Sequence, residues 1–126
     1  MNADRVVPIS LQYLPSPDGD NRLDVEVREG DTSVTYFASS RAEGGGRCIT
    51  IHFKNCFAIR YVVTEDHESY CPGINDSESD FVEIHESSWV CSQPEYVQQM
   101  KHFAFGINHS FFECIADRYE VHPREQ

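Results

Sequence analysis

The chain has 126 residues, with ten Lys plus Arg against 21 Asp plus Glu, and so a net charge of −11 at pH 7. One domain over residues 1–126 is the default at this length, and about two-thirds of the unfolded surface can be buried without disulfide staples. Fifteen aromatic residues exclude an acidic disordered chain, while the negative surface and two lysines exclude broad nucleic-acid binding and disfavour anionic membranes.

The start, Met1-Asn2-Ala3-Asp4-Arg5, has no basic region leading into an apolar one. No stretch reaches the ~20 apolar residues of a membrane span. A cytoplasmic chain is expected. The five cysteines, an odd number without short paired spacing, read as reduced thiols that fill the core.

Period-two patterning dominates from here on. Leu23-Asp24-Val25-Glu26-Val27-Arg28 alternates apolar and charged residues, Gly30-Asp31 turns, and Ser33–Phe37 is β-branched and aromatic. Gly44-Gly45-Gly46 is a loop tip and not a phosphate cradle, since no Gly-Lys-Ser/Thr follows. Ile49, Ile51 and Phe53 share one face of a strand; Phe57, Ile59, Tyr61 and Val63 share one face of the next. A three-residue loop, Lys54-Asn55-Cys56, would pair these strands with one unified apolar face. Phe81, Val82 and Ile84 leave Asp80–Ser87 open between strand and helical turn. Ser92-Gln93-Pro94-Glu95 fits a capping box, with Tyr96, Val97 and Met100 on one face of a short helix. The last hairpin needs a two-residue loop at Asn108-His109, which sets Phe105 opposite Phe112 and Phe103 opposite Cys114. Tyr119–His122 extends the sheet and Pro123 ends it.

The fold expected is a single, mainly β domain: an antiparallel meander of about six strands in a curved sheet or half-open barrel, with one short helix. Its core would hold Val25, Val27, Phe37, Ile49, Ile51, Phe53, Phe57, Ile59, Tyr61, Phe103, Phe105, Phe112, Cys114 and Ile115. Ile115 alternates away from Phe112 and is buried only if both sheet faces are covered.

Charge is concentrated in the middle of the chain. From Tyr61 to Met100 there is no Lys or Arg, and nine acidic residues fall in those forty positions. The other 86 residues carry ten basic and twelve acidic groups. Such a stretch either solvates a loop or steers a basic partner. The aromatic residues Tyr70, Phe81, Trp89 and Tyr96 interrupt it, and aromatics ringed by charge have the composition of interface anchors. Glu65, Asp66, Glu68, Tyr70, Asp76, Glu78, Asp80 and Trp89 are the expected partner-binding residues.

Chemistry finds less support. His67 and Cys71, with His85 and Cys91, are candidate zinc ligands, but the chain has no CxxC and no HExxH. Cys48 and His52 lie about 13 Å apart along a strand, too far to share an ion. Asp76, Glu78 and Asp80 alternate like the start of a calcium loop, yet Phe81 stands where glycine is required and Ser87 where glutamate is. No nucleophile carries a flanking signature, so no catalytic residue and no cofactor are expected.

Met100-Lys101-His102-Phe103 and Asn108-His109-Ser110-Phe111-Phe112-Glu113-Cys114-Ile115-Ala116 together resemble the terminal hairpin of small bacterial β-rich proteins. Some of these are immunity proteins, which neutralise a toxin made by the same cell. The resemblance covers about a fifth of the chain and carries over no site residue. It adds weight to a binding role, and with the acidic Tyr61–Met100 stretch the expectation is a non-enzymatic cytosolic protein that docks a basic partner, such as a toxin domain, by occlusion. The alternatives are a small zinc-dependent or Cys/His enzyme, and a domain that homodimerises through an exposed sheet edge.

Overall fold

Alternation along Asp31–Phe37 buries Thr32, Val34 and Tyr36 and turns Asp31, Ser33 and Thr35 outward. The same rule builds the rest of the chain. The computed structural model describes residues 4–9, 24–37, 48–77, 79–107 and 109–124. Among these are nine strands: β1 (Arg5–Pro8), β2 (Asp24–Arg28), β3 (Asp31–Phe37), β4 (Cys48–Lys54), β5 (Ala58–Val63), β6 (Phe81–His85), β7 (Lys101–Ile107), β8 (Ser110–Ala116) and β9 (Arg118–Arg124). They form two antiparallel sheets, one ordered β1-β6-β7-β8-β5 and the other β2-β3-β4-β9. The mainly β reading holds. The strands are divided between two sheets, where the sequence pointed to about six in one.

The sheets pack face to face. Val34, Tyr36, Ile49, Ile51 and Phe53 of the four-stranded sheet meet Phe81, Phe103, Phe105, Phe112 and Cys114 of the five-stranded one. Phe53 reaches across the interface, with ring centroids of Phe103 and Phe112 both at 5.5 Å. Offset and tilted aromatic pairs of this kind add to the area they bury.

The outer face of the five-stranded sheet is covered as well. One cover is helix α1 (His67–Tyr70) with the 3-10 turn Ile74–Asp76. It brings Cys71 and Ile74 onto Val82, Ile84, Ala104 and Phe111. The other is helix α2 (Ser88–Cys91) with the 3-10 turn Glu95–Val97. It brings Val90 and Val97 onto Ile115. Ile115 is therefore fully buried on the face opposite Phe112. Gly106 is needed beneath the first cover, because a Cβ there would lie 2.7 Å from His67 Nδ1.

The last hairpin has the expected register, with Phe105 opposite Phe112 and Phe103 opposite Cys114. Other expectations are corrected. β4 and β5 do not pair: β4 lies between β3 and β9, and β5 pairs with β8. Both edges of β4 are taken, one by the preceding strand β3 and the other by the distant β9, so the turn at Asn55 (φ 51°) carries the chain from one sheet to the other. Asp80–Ser87 resolves into β6, and Ser92 ends α2 instead of starting a helix. Ser87 is the N-cap, because its side chain is the one that reaches a free N–H, that of Val90. Pro123 does not end β9; it lies within a strand at the end of its sheet among the described residues, where a missing N–H is tolerated.

Val27 is 58% exposed, on β2, an end strand of its sheet among the described residues. Phe57 sits in the inter-sheet turn against Tyr96, and Tyr61 on edge strand β5; both are exposed. Val25, Phe37 and Ile59 are only half-buried. Leu23, Asn108 and the glycines at 44–46 lie outside the described residues. Among the described residues no helix is long and apolar enough to cross a membrane.

Candidate functional site

The outer face of β5, β7 and β8 carries a charged residue where an apolar one would be ordinary. Glu113 is in the middle of the all-buried strand β8 and is 2% exposed. A buried carboxylate needs partners, and the sheet register supplies them. Arg60 is directly opposite on β5, and His102 is on the neighbouring strand β7. Arg60 Nε donates to Glu113 Oε2 at 2.5 Å, and His102 Nε2 lies 2.6 Å from Oε1.

The chain of contacts continues outward. His102 Nδ1 is 2.7 Å from Ser87 Oγ, and Ser87 Oγ also accepts the Val90 N–H at 3.1 Å. Donor accounting assigns the roles: the Ser87 hydroxyl donates to Nδ1, and Nε2–H donates to Glu113. Glu86, just before Ser87, has φ 55°, so a left-handed turn aims the hydroxyl inward. The parts are those of a Ser-His-Glu triad. Ser87 is 5% exposed, and its hydroxyl serves two neighbours, His102 and the Val90 N–H of the helix cap. A cleft of about 380 Å³ opens beside this pair, lined also by Arg5, His85, Cys91 and Lys101.

Glu113 holds Arg60 in place, and Arg60 reaches the surface with its side chain 53% exposed. Its guanidinium lies between two rings, 5.9 Å from the Tyr70 centroid and 5.8 Å from the Trp89 centroid. Tyr70 is stacked on Phe111, and Trp89 meets His102 edge-on at 5.1 Å. Each cover therefore contributes one aromatic residue, and Arg60 joins them. Cation–π contact of this kind favours guanidinium over ammonium.

The acidic candidates divide by role. Glu65 is exposed and 2.7 Å from His109 Nδ1. Asp66 caps α1, accepting from the Ser69 N–H; the hydrogen bonds from Ser69 hold its carboxyl below the usual carboxylate range. Glu68 accepts from the N–H groups of Gly73 and Asn75 and so folds the following loop. Asp76 is exposed on its 3-10 turn. Asp80 is exposed as a residue, but its carboxyl is crowded; desolvation pushes its pKa up, opposed by His67. Glu78 lies outside the described residues. Only Tyr70 and Trp89 of this set meet at one point.

The four zinc candidates do not converge. His67 and Cys71 sit on the first cover, with the Cys71 thiol pushed up to about 12 by burial. His85 and Cys91 line the cleft beside Ser87. Among the described residues no group of three or more His, Cys, Asp or Glu is placed to hold an ion. Arg60, Ser87, His102 and Glu113 are absent from the sequence-derived site. A charged residue inside the apolar run Phe111–Ala116 was the available signal for Glu113.

No protein-family model, curated protein or solved structure matches this chain.

Proposed function

We propose that this protein is a non-enzymatic, cytosolic binding module that docks a basic protein through the outer layer of its five-stranded sheet. The observation that carries the reading is Arg60 held between Tyr70 and Trp89 at one surface point. Arg, Trp and Tyr are the residue types that dominate interface energetics, most of all when preorganised. Both covers belong to the Tyr61–Met100 stretch with its nine acids and no Lys or Arg. An acidic stretch that also supplies both aromatic anchors favours a positive partner and speeds its approach. If the partner acts on phosphates, as a nuclease toxin does, carboxylates such as Glu65 and Asp76 take the place of those phosphates and occlude its site.

The test is affinity capture from the native host's lysate, at low and high salt, with the wild type beside a Tyr70→Ala/Trp89→Ala variant. The wild type is expected to hold a basic protein that survives high salt in part, and the variant to lose it. With the partner purified, Kd should rise at least about tenfold, or ~1.4 kcal/mol. Identical captures from wild type and a folded variant would sink the reading.

A second occupant is favoured by a different observation. β5 is the end strand of its sheet among the described residues, and Val63 on it is 76% exposed. Pairing of two copies along β5 would cover it. Sedimentation at high concentration distinguishes this homodimer from a monomeric binder.

A further inference from the structure

The four-stranded sheet has its own cluster of nitrogen donors, on the face turned away from the core. Alternation along β4 sends Ile51 and Phe53 inward, so His52 points outward. On β9, Tyr119 and Val121 pack against the core, so Glu120 and His122 point outward too. The register sets His52 opposite Glu120 and Thr50 opposite His122. The two histidines are therefore diagonal neighbours on one face. Their ring centroids are 4.9 Å apart, with the planes at 75°.

Each imidazole has one nitrogen beside an oxygen. His52 Nδ1 is 3.1 Å from Ser33 Oγ on β3, the side of β4 away from β9. His122 Nε2 is 3.5 Å from Glu120 Oε2. With Nδ1–H of His52 directed at Ser33 and Nε2–H of His122 at Glu120, the other nitrogen of each ring carries a lone pair. An oxygen on one nitrogen and a lone pair on the other is how proteins orient a histidine that ligates a metal.

We propose that His52 and His122 form a two-histidine site for a divalent first-row transition ion such as Zn(II), with solvent completing its coordination. Distance supports the pairing. At a metal–nitrogen bond of about 2.1 Å the ion is about 3.2 Å from each ring centre. Two nitrogens about 90–110° apart around the ion then hold the ring centres about 4.5–5.2 Å apart. The 4.9 Å separation falls in that range. His122, with its side chain 55% exposed, has room to turn its ring to the ion. Imidazole selects the zinc, nickel and copper class over magnesium and calcium, which take oxygen ligands.

Glu120 is the outer partner of His122 and not a third ligand. Lys54 and Arg118 each approach its carboxylate at 3.9 Å and share its charge. Two imidazoles alone make an open, exchangeable site, in keeping with the lack of any three-residue donor group among the described residues. Arg60, Tyr70 and Trp89 belong to the other sheet and its covers, so the metal site stands or falls independently of the docking surface.

The full chain, stripped with EDTA, is titrated with Ni(II) chloride by calorimetry, and the imidazole NMR signals are followed as this paramagnetic ion is added. One equivalent is expected to bind. The signals of His52 and His122 should broaden ahead of those of His67, His85, His102 and His109. His52→Ala and His122→Ala should each weaken binding at least about tenfold. Broadening centred on any other histidine, or no equimolar binding at millimolar nickel, would overturn the proposal. The NMR mapping needs only the wild type, so a variant that fails to fold does not shield the idea.

Discussion

Glu113 has the most demanding environment of any side chain in the core. Its charge is buried, and Arg60 and His102 compensate it from two strands. Removing one partner of such a pair costs more than neutralising both. Arg60→Met leaves the carboxylate with His102 alone. The expected loss is about 3 kcal/mol, the low end for a broken buried pair, because Arg60 is half in solvent. Glu113→Gln keeps the shape and removes the charge, at ~1–2 kcal/mol. The double variant should be more stable than the sum of the two predicts, by about 1–2 kcal/mol. Urea denaturation of the four proteins checks this; strict additivity would show that the pair is not coupled.

At the scale of elements, the two covers are too short to be helical alone. Each α-turn has four residues, far below the ~12 that make an isolated helix even marginal. Caps and packing hold them instead. Ser87→Ala removes the cap on Val90 and leaves His102 Nδ1 unpaired, so a loss of about 1–3 kcal/mol is expected in thermal melts.

Two carboxyls of the acidic stretch, Asp66 and Asp80, give opposite pH behaviour. Asp66 has a depressed folded pKa, so its stabilisation is full above its unfolded pKa and is lost as pH falls through the folded one. Asp80 has a raised folded pKa. Its contribution is full below its unfolded pKa and is lost as pH rises through the folded one. Asp80→Asn should therefore raise the urea midpoint at neutral pH, and that gain should fade towards pH 3. A gain constant with pH would contradict this assignment.

For the whole molecule, the −11 charge is a repulsive load on the compact state. Nine acids fall in the one stretch of sequence that also supplies both covers of the five-stranded sheet. Salt shortens the reach of this repulsion to about 8 Å at physiological ionic strength. Tm should rise as sodium chloride goes from ~10 mM to ~150 mM. A falling Tm would show that ion pairs such as Arg60–Glu113 outweigh the net repulsion.

Local pattern was enough to determine the mainly β class and the register of β7 with β8, because period-two burial and a two-residue loop act on neighbouring residues. It also placed Cys114 in the core and made the burial of Ile115 conditional on a second covered face. Pairings between distant strands were decided only by the tertiary structure. Loop arithmetic at Lys54–Cys56 assumes that sequential strands pair, and β4 and β5 do not, because β9 and β8 occupy the positions each would have given the other. The same long-range choice puts Arg60 opposite Glu113, His102 beside it, and Tyr70 and Trp89 above. No spacing in the sequence encodes that meeting, since its members come from five segments brought together by burial of two sheet faces.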